Sequence, residues 1–268
     1  MQLVPDAGVV YSSQDQLAFV SPGVIPGTTG TGIFREQLHR WDVEFGLGFR
    51  IGLPYGFQAS IRIPYDWTQG SATFGGSTNR TVTRNGVGDL SLGLQKQVLT
   101  EDAGWPAVLL NANYKFATGS SSLTVPQVAT YPFGVGTGSG FPTFSGGITV
   151  QKRQDPLVFL GNLQYYHNFP ATIGGVNQTL GDSVEVRLSP ILAASPDTSL
   201  RVAWDTFFQQ ANTVAGRQVP GSSQTISFLE FGAGSVLSAR WFMDASVGIG
   251  LTKDSPSFRA LVQFPFRF

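Results

Sequence analysis

The last twelve residues, 257–268, constrain the fold of this chain more than any other stretch. Their odd-numbered positions are mostly polar, whereas the even-numbered positions are all apolar: Phe258, Ala260, Val262, Phe264, Phe266 and Phe268. Successive side chains of a β-strand point to opposite faces, so the pattern predicts a strand with one aromatic face and one mostly polar face. A soluble sandwich can show the same alternation, but a strand between lipid and an aqueous lumen requires it.

The composition also favours a membrane barrel. Only 13% of the 268 residues are charged, against roughly 25% in soluble domains, and Phe and Gly are abundant. The formal net charge is zero, which gives no electrostatic reason to expect nucleic acid as a partner. Cysteine is absent, and no apolar run approaches the ~18 residues of a helical membrane span. We therefore expect a lipid bilayer and the outer-membrane assembly machinery as partners.

The same alternation recurs along the chain. In the clearest segments the apolar phase contains no charged residue, as contact with lipid demands, because Arg or Lys at the bilayer midplane costs about 2–4 kcal/mol. A helix of period 3.6 does not give this pattern. Twelve segments are predicted as strands: 2–12, 40–51, 57–67, 89–98, 108–116, 140–151, 157–168, 183–189, 200–209, 224–237, 241–251 and 257–268.

The connections between these strands alternate in length. Long polar connections are predicted at 13–32, 69–85, 118–139, 169–181 and 210–223, with a shorter one at 252–256 on the same rim. Short connections are predicted at 53–56, 100–104, 152–156, 195–197 and 238–240. This two-sided pattern predicts an all-β fold, a single 12-stranded antiparallel transmembrane β-barrel with short periplasmic turns and long extracellular loops. An even number of strands places both termini on the periplasmic side of a bacterial outer membrane.

The beginning of the chain lacks a secretory signal. Residues 1–5 have no basic region followed by an apolar one. Because an outer-membrane protein must first cross the inner membrane, we expect the barrel domain 1–268 to be trimmed from a longer chain or to lack its signal peptide.

Charged residues in the inward phase are the candidate functional residues. They line the predicted lumen with mixed signs, so they are expected either to pair and keep the lumen polar and rigid, or to set the selectivity of a conduit, and the two roles are compatible. The candidates are Asp42, Glu44, Arg50, Arg62, Asp66, Asp89, Lys115, Glu185, Arg187, Arg201, Asp205, Glu230, Asp244 and Arg259.

Catalysis is not expected. The only histidines, His39 and His167, lie at predicted strand borders, and with no cysteine a catalytic zinc site has few ligands to draw on. The glycine-rich stretch 134–140 lacks the following helix that a phosphate-binding loop needs. We therefore expect no enzyme activity, no metal and no cofactor.

Several motifs resemble a known family of membrane barrels. The segment 85–94, Asn-Gly-Val-Gly-Asp-Leu-Ser-Leu-Gly-Leu, is similar to the GxGD strand entry of the outer-membrane family named for the MetA pathway of phenol degradation. Stretches 136–141, 155–161, 219–223 and 246–256 resemble, within that family, the barrels that secrete Fap functional amyloid. The resemblance spans 38–268. The last strand separately resembles the closing strand of bacterial outer-membrane barrels, which implies that Phe264, Phe266 and Phe268 close the barrel and form its assembly signal.

The resemblance implies a channel that passes an unfolded amyloid subunit outward, with an upstream plug helix and a trimeric coiled coil that this sequence does not show. A homotrimer or larger membrane complex would follow from it. Two other functions stay open from the residues. One is an uptake channel for small hydrophobic or aromatic compounds, which predicts an apolar pocket or a lateral opening. The other is a structural barrel that anchors a larger outer-membrane assembly, which predicts a plugged lumen.

Overall fold

The structure is a computed structural model. It describes residues 1–20, 32–74, 78–102, 104–121, 135–173 and 175–268. These residues form antiparallel strands and a single 3₁₀ turn at Pro54–Gly56. Within the same ranges there is no helix with the length and hydropathy needed to span a bilayer.

The strands vary widely in length. The longest, near the beginning of the chain, exceed the span of a bilayer core, whereas the shortest have only two or three residues. Their bounds are β1 Gln2–Val20, β2 Gly32–Leu53, β3 Phe57–Phe74, β4 Thr78–Val87, β5 Ser91–Leu99, β6 Ala107–Lys115, β7 Thr143–Gln154, β8 Leu157–Asn168, β9 Ala171–Ile173, β10 Val176–Thr179, β11 Ser183–Ser195, β12 Thr198–Gln209, β13 Thr213–Val214, β14 Arg217–Gln218, β15 Gln224–Val236, β16 Phe242–Gly250, β17 Phe258–Gln263 and β18 Phe266–Arg267.

The sheet closes on itself as a barrel. Going round the ring from β1, each strand pairs with the next in the order β2, β3, β5, β6, β7, β8, β11, β12, β15, β16 and β17. Two positions are each shared by two collinear strands: β4 and β5 both pair with β3, and β17 and β18 both pair with β1. Counted this way, the described residues form twelve antiparallel staves, which confirms the predicted fold class.

The last stave closes the ring against the first. The register runs from Asp6 opposite Gln263 to Tyr11 opposite Phe258. Below it, the backbone N–H of Phe264 donates to the carbonyl of Pro5 at 2.9 Å. The C-terminal stretch 257–268 therefore completes the backbone hydrogen bonding of β1, which removes the free sheet edges.

Two predicted loops are partly strand. β1 continues to Val20 and β2 begins at Gly32, so residues 13–20 and 32 of the first predicted loop are strand, and β3 and β4 likewise extend through most of 69–85. The physical reason is that a hairpin rising beyond the membrane no longer has lipid on one face and the lumen on the other. Its backbone ladder continues while its period-two signal disappears. Residues 21–31 and 75–77 lie outside the described part of the chain.

Of three other predicted loops, 210–223 is fully described, whereas 118–139 and 169–181 are described in part. The connections 169–181 and 210–223 contain β9, β10, β13 and β14, which form a second, four-stranded sheet beyond the barrel rim. Residues 122–134, the larger part of the predicted loop 118–139, and residue 174 lie outside the described ranges. The short turn at 53–56 is placed as predicted, between β2 and β3, with Tyr55 at a positive φ of 61°.

The barrel has an inverted core, with apolar side chains outside and polar side chains inside. On the outer face Phe45, Leu163 and Val247 are about half exposed, at 55%, 54% and 49%. On the inner face Asp6, Thr68 and Glu230 are buried, with exposed fractions of 7% or less. An outer surface of this kind suits contact with lipid, because burying it there gains the hydrophobic free energy that a soluble fold gains in its interior.

Candidate functional site

The interior of the barrel is the candidate site, and its first cluster lies on β1, β2 and β3. Arg62 Nη2 donates to Asp6 Oδ1 at 2.5 Å and also to Glu44, while Arg62 Nε donates to Asp6 Oδ2 at 3.3 Å. Gly46 lies opposite both Asp6 and Pro64 in the ladder, and a Cβ there would collide with the Asp6 and Arg62 side chains. The glycine therefore provides the space that the ion pair occupies.

A second cluster joins three arginines and three carboxylates from β11, β12, β15, β16 and β17. Glu230 is at its centre and accepts from Arg187 Nη2 at 2.7 Å, Arg201 Nη2 at 3.2 Å and Arg259 Nη2 at 2.9 Å. The outer bonds run from Arg187 and Arg259 to Asp205, at 3.3 and 2.7 Å, and from Arg201 to Asp244 at 3.1 Å. The charges balance, which limits the cost of holding ions in a partly desolvated interior.

A third cluster fixes part of the connection between β6 and β7 inside the barrel. Asp89 accepts from the backbone N–H of Gly119 at 3.0 Å and from the backbone N–H and hydroxyl of Ser139, both at 2.9 Å. Lys115 Nζ lies 3.3 Å from the same carboxylate. Residues 135–141 pack so closely here that Phe141 is only 1% exposed. The segment therefore narrows the interior.

Three cavities lined by described residues adjoin one another in the interior. The central cavity, of about 700 Å³, has Asp42, Glu44 and Asp66 on one wall and arginines of the second cluster on the other. The aromatic cavity, of about 470 Å³, adjoins it at Arg259, which lines both. The turn-side cavity, of about 350 Å³, adjoins the central one at Asp244. The ion-paired side chains of Arg259 and Asp244 therefore lie where these cavities, the chambers of the interior, adjoin.

The aromatic cavity differs from the other two in its lining. Leu180, Phe207, Ile226 and Phe228 give it an apolar wall, and residues of β6, β7 and β8 give it a polar one. The Tyr166 ring packs on Phe207 with a centroid distance of 5.4 Å, and its hydroxyl donates to Glu185. The guanidinium of Arg259 lies 4.0 Å from the centroid of Phe228, within range of a cation–π contact.

A further carboxylate lies at the long-loop rim, between β10 and β11 and outside the barrel strands. Asp182 accepts from Tyr165 Oη at 2.5 Å and from the Asn168 backbone N–H at 3.1 Å, and lies 3.1 Å from His167 Nδ1. Burial acts to raise the pKa of Asp182, but these hydrogen bonds outweigh it and hold the pKa below its usual range. This group ties the end of β8 to the start of β11.

The structure brings most of the predicted lumen residues together. Ten of them take part in the three ion clusters: Glu44, Arg62, Asp89, Lys115, Arg187, Arg201, Asp205, Glu230, Asp244 and Arg259. Asp42 pairs with Arg40 at 2.8 Å and lines the central cavity with Asp66, while Glu185 lines the aromatic cavity. Arg50 is different, because it is exposed and lies opposite Gln2 and Ser60 near the short-turn rim.

The three C-terminal phenylalanines lie where the barrel closes. The rings of Phe266 and Phe268 meet edge to face at 5.0 Å, and Trp241 lies 4.8 Å from Phe266. The backbone N–H of Phe268 donates to the carbonyl of Met1 at 3.2 Å. Their predicted role as an assembly signal stays a prediction.

Sequence reasoning missed several interior residues. Asp6 was absent from the candidates because Pro5 and Asp6 obscure the phase of the first strand. Phe207 and Phe228 were absent because inward positions were expected to be polar. A signal was available for Phe207, since it is followed by Phe208, and two adjacent aromatics in a strand must place one ring on each face.

Solved structures share this fold. An outer-membrane channel from Pseudomonas putida F1 matches over 98% of this chain and 95% of its own, with 14% identity and a TM-score of 0.64. The NanC porin matches over 97% and 100%, with 9% identity and a TM-score of 0.54. The transport unit of the autotransporter AIDA-I from Escherichia coli matches over 100% and 90%, with 8% identity and a TM-score of 0.53. At such identities the likeness establishes the barrel fold alone.

A family model identifies the family of the chain, which the solved structures do not. It matches residues 27–268, which is most of the chain, and so confirms the wider resemblance seen in the segment 85–94. None of these matches supports the finer resemblance to barrels that secrete Fap amyloid. The chain belongs to the family described as "Putative MetA-pathway of phenol degradation".

Proposed function

We propose that this protein is an outer-membrane channel for the uptake of small hydrophobic or aromatic compounds. The observation that carries the proposal is the division of the interior into chambers of about 700, 470 and 350 Å³. Sites that hold one small organic molecule typically measure about 300–1,000 Å³. A solute of that size fits each chamber in turn.

The same interior argues against the export of an unfolded polypeptide, which the sequence motifs favoured. An extended chain with its side chains needs a continuous bore about 10 Å across, the thickness of one layer of packed strand. The ion cluster around Glu230 and the segment 135–141 both project into the lumen, so such a bore would require breaking their hydrogen bonds. The uptake function therefore replaces the export function.

Two further observations support uptake of aromatics. The family is described by phenol degradation, a pathway that begins with a small aromatic compound. The aromatic cavity also offers the apolar pocket that the uptake hypothesis predicts, with Phe207 and Phe228 in its wall. On this proposal the apolar outer face contacts the lipid of a bacterial outer membrane. Both termini then face the periplasm, since they lie at the short-turn rim.

Uptake into cells is the direct test. A Gram-negative host that lacks its own aromatic channels would be supplied with dilute labelled phenol, with and without this protein in its outer membrane. We expect faster initial uptake with the protein, and in a planar bilayer we expect phenol, but not an unfolded glycine-rich peptide, to reduce its ionic current. Uptake equal to that of the empty host, together with block by the peptide, would contradict the proposal.

A further inference from the structure

The aromatic cavity combines an aromatic wall with an acidic hydrogen-bond acceptor. Phe207 and Phe228 lie on neighbouring strands, with Phe207 opposite Ile226 and Phe228 opposite Asp205 in the ladder. Phe228 is only 5% exposed, so its ring is held in place by its surroundings. A flat aromatic solute can therefore pack edge to face against fixed rings, an arrangement that aromatic pairs prefer.

Glu185 is the acceptor. It lies opposite Gln164 of β8 and Phe207 of β12, and its carboxylate borders the cavity. Among the described residues, no Arg, Lys or His atom forms an ion pair with it, in contrast to Asp205 and Glu230 nearby. Its described side-chain partners are a phenol, the hydroxyl of Tyr166, which donates to it, and the neighbouring carboxyl group of Asp205. An ionised carboxylate accepts about four hydrogen bonds, so Glu185 can accept from a second hydroxyl as well.

Tyr166 shows what a bound solute would do. Its side chain is itself a phenol, with the ring packed on Phe207 at 5.4 Å and the hydroxyl on Glu185. A free phenol in the adjoining space can make the same two contacts, with Phe228 as the ring partner. The cavity of about 470 Å³ is large enough for a single ring with small substituents.

We propose that the aromatic cavity is a binding site for neutral phenols, with the solute hydroxyl donating to Glu185 and its ring packing on Phe207 and Phe228. This inference rests on the proposed uptake function and deepens it by naming the solute class and its acceptor. The site favours phenols over aromatic ethers and hydrocarbons, which lack the hydroxyl donor.

Binding to the purified full chain in lipid nanodiscs tests the site. Calorimetric titrations with phenol and with anisole, its methyl ether, are each corrected with empty nanodiscs to remove partitioning into lipid. We expect phenol to bind more tightly than anisole. Glu185→Gln should weaken phenol binding about tenfold, because a neutral acceptor forms a weaker hydrogen bond than a charged one, and should leave anisole binding unchanged.

Two further variants exclude a general effect on folding. Tyr166→Phe removes the competing hydroxyl and should tighten phenol binding several-fold, the opposite sign to any damage to the fold. Glu101→Gln alters a carboxylate in the short turn between β5 and β6 that pairs with Arg153, away from the three cavities, and should leave phenol binding unchanged. Equal binding of phenol and anisole, or no response to Glu185→Gln and Tyr166→Phe, would overturn the site. If the site is overturned but cells that carry the protein still take up phenol faster than the empty host, the channel function stands. If cells that carry the unaltered protein take up phenol no faster than the empty host, the channel function itself is rejected.

Discussion

Replacing Glu230 by Gln is the most informative single substitution in the interior. The Glu230 side chain is 7% exposed and accepts from Arg187, Arg201 and Arg259. A glutamine of the same shape would direct an amide N–H₂ at one of these guanidinium groups and leave the arginines with two carboxylates. Removing one partner of a buried ion pair costs about 3–5 kcal/mol. Since the arginines keep Asp205 and Asp244, we expect a loss of about 3 kcal/mol, the lower end of that range.

Urea-induced unfolding in lipid vesicles, followed by tryptophan fluorescence, measures this change by linear extrapolation. The matched control is Asp244→Asn, because Asp244 is 33% exposed and pairs with one arginine, so its loss should cost at most about 1 kcal/mol. The Glu230 variant should also shift the reversal potential in a salt gradient towards anions, since the cluster gains a net positive charge. An equal cost for both variants, or an unchanged reversal potential, would refute the central role of Glu230.

Three other substitutions or conditions test separate parts of the structure. Asp89→Asn weakens the charge-assisted bonds to the segment that contains Ser139, so amide hydrogen exchange there should speed up at least tenfold and single-channel conductance should rise. Phe45→Arg places a charge on the outer face and should destabilise the folded barrel in lipid by about 2–4 kcal/mol. The control Tyr55→Arg, in the rim turn, should cause little destabilisation, and equal costs for the two variants would argue against a lipid-facing Phe45. Because the pKa of Asp182 is lowered on folding, its stabilising bonds should persist below pH ~3.9, where a free aspartate is half protonated, and be lost only on further acidification. Hydrogen exchange of the backbone amide that donates to Asp182, measured as a function of pH, checks the last expectation. Loss of protection of this amide that begins above pH ~5 would contradict it.

The sequence predicts the barrel well wherever one face of a strand meets lipid and the other meets the lumen. In β2 and β12 this contrast produces the alternation directly, and the inward charges found there form the ion pairs of the interior. The contrast disappears beyond the membrane, where water lies on both faces. The upper parts of β1, β3 and β4 are therefore strands in the structure but loops by pattern.

The candidate site is less predictable from sequence than the fold. Alternation shows that Glu185 and Arg259 face inward, but it does not show that Arg259 reaches Asp205 and Glu230 while Glu185 receives a tyrosine hydroxyl. Those contacts depend on strand register, which sets residues from distant parts of the chain opposite each other. The contacts of segment 135–141 inside the barrel are also set by tertiary hydrogen bonds, chiefly to Asp89.

The polar interior has two roles that depend on the same residues. Without an apolar core inside the ring, the ion clusters tie neighbouring strands together. Glycines supply the room for them, as at Gly232 beside Arg201 and Gly248 beside Arg259, where an added Cβ would come within 3.0 Å of the arginine. The space that the clusters leave is the set of chambers, and Arg259 lines two of them while packing on Phe228. If the proposed uptake function holds, the side chains that stabilise the barrel also set the size and chemistry of the solute that can pass, so changes in selectivity and in stability should occur together.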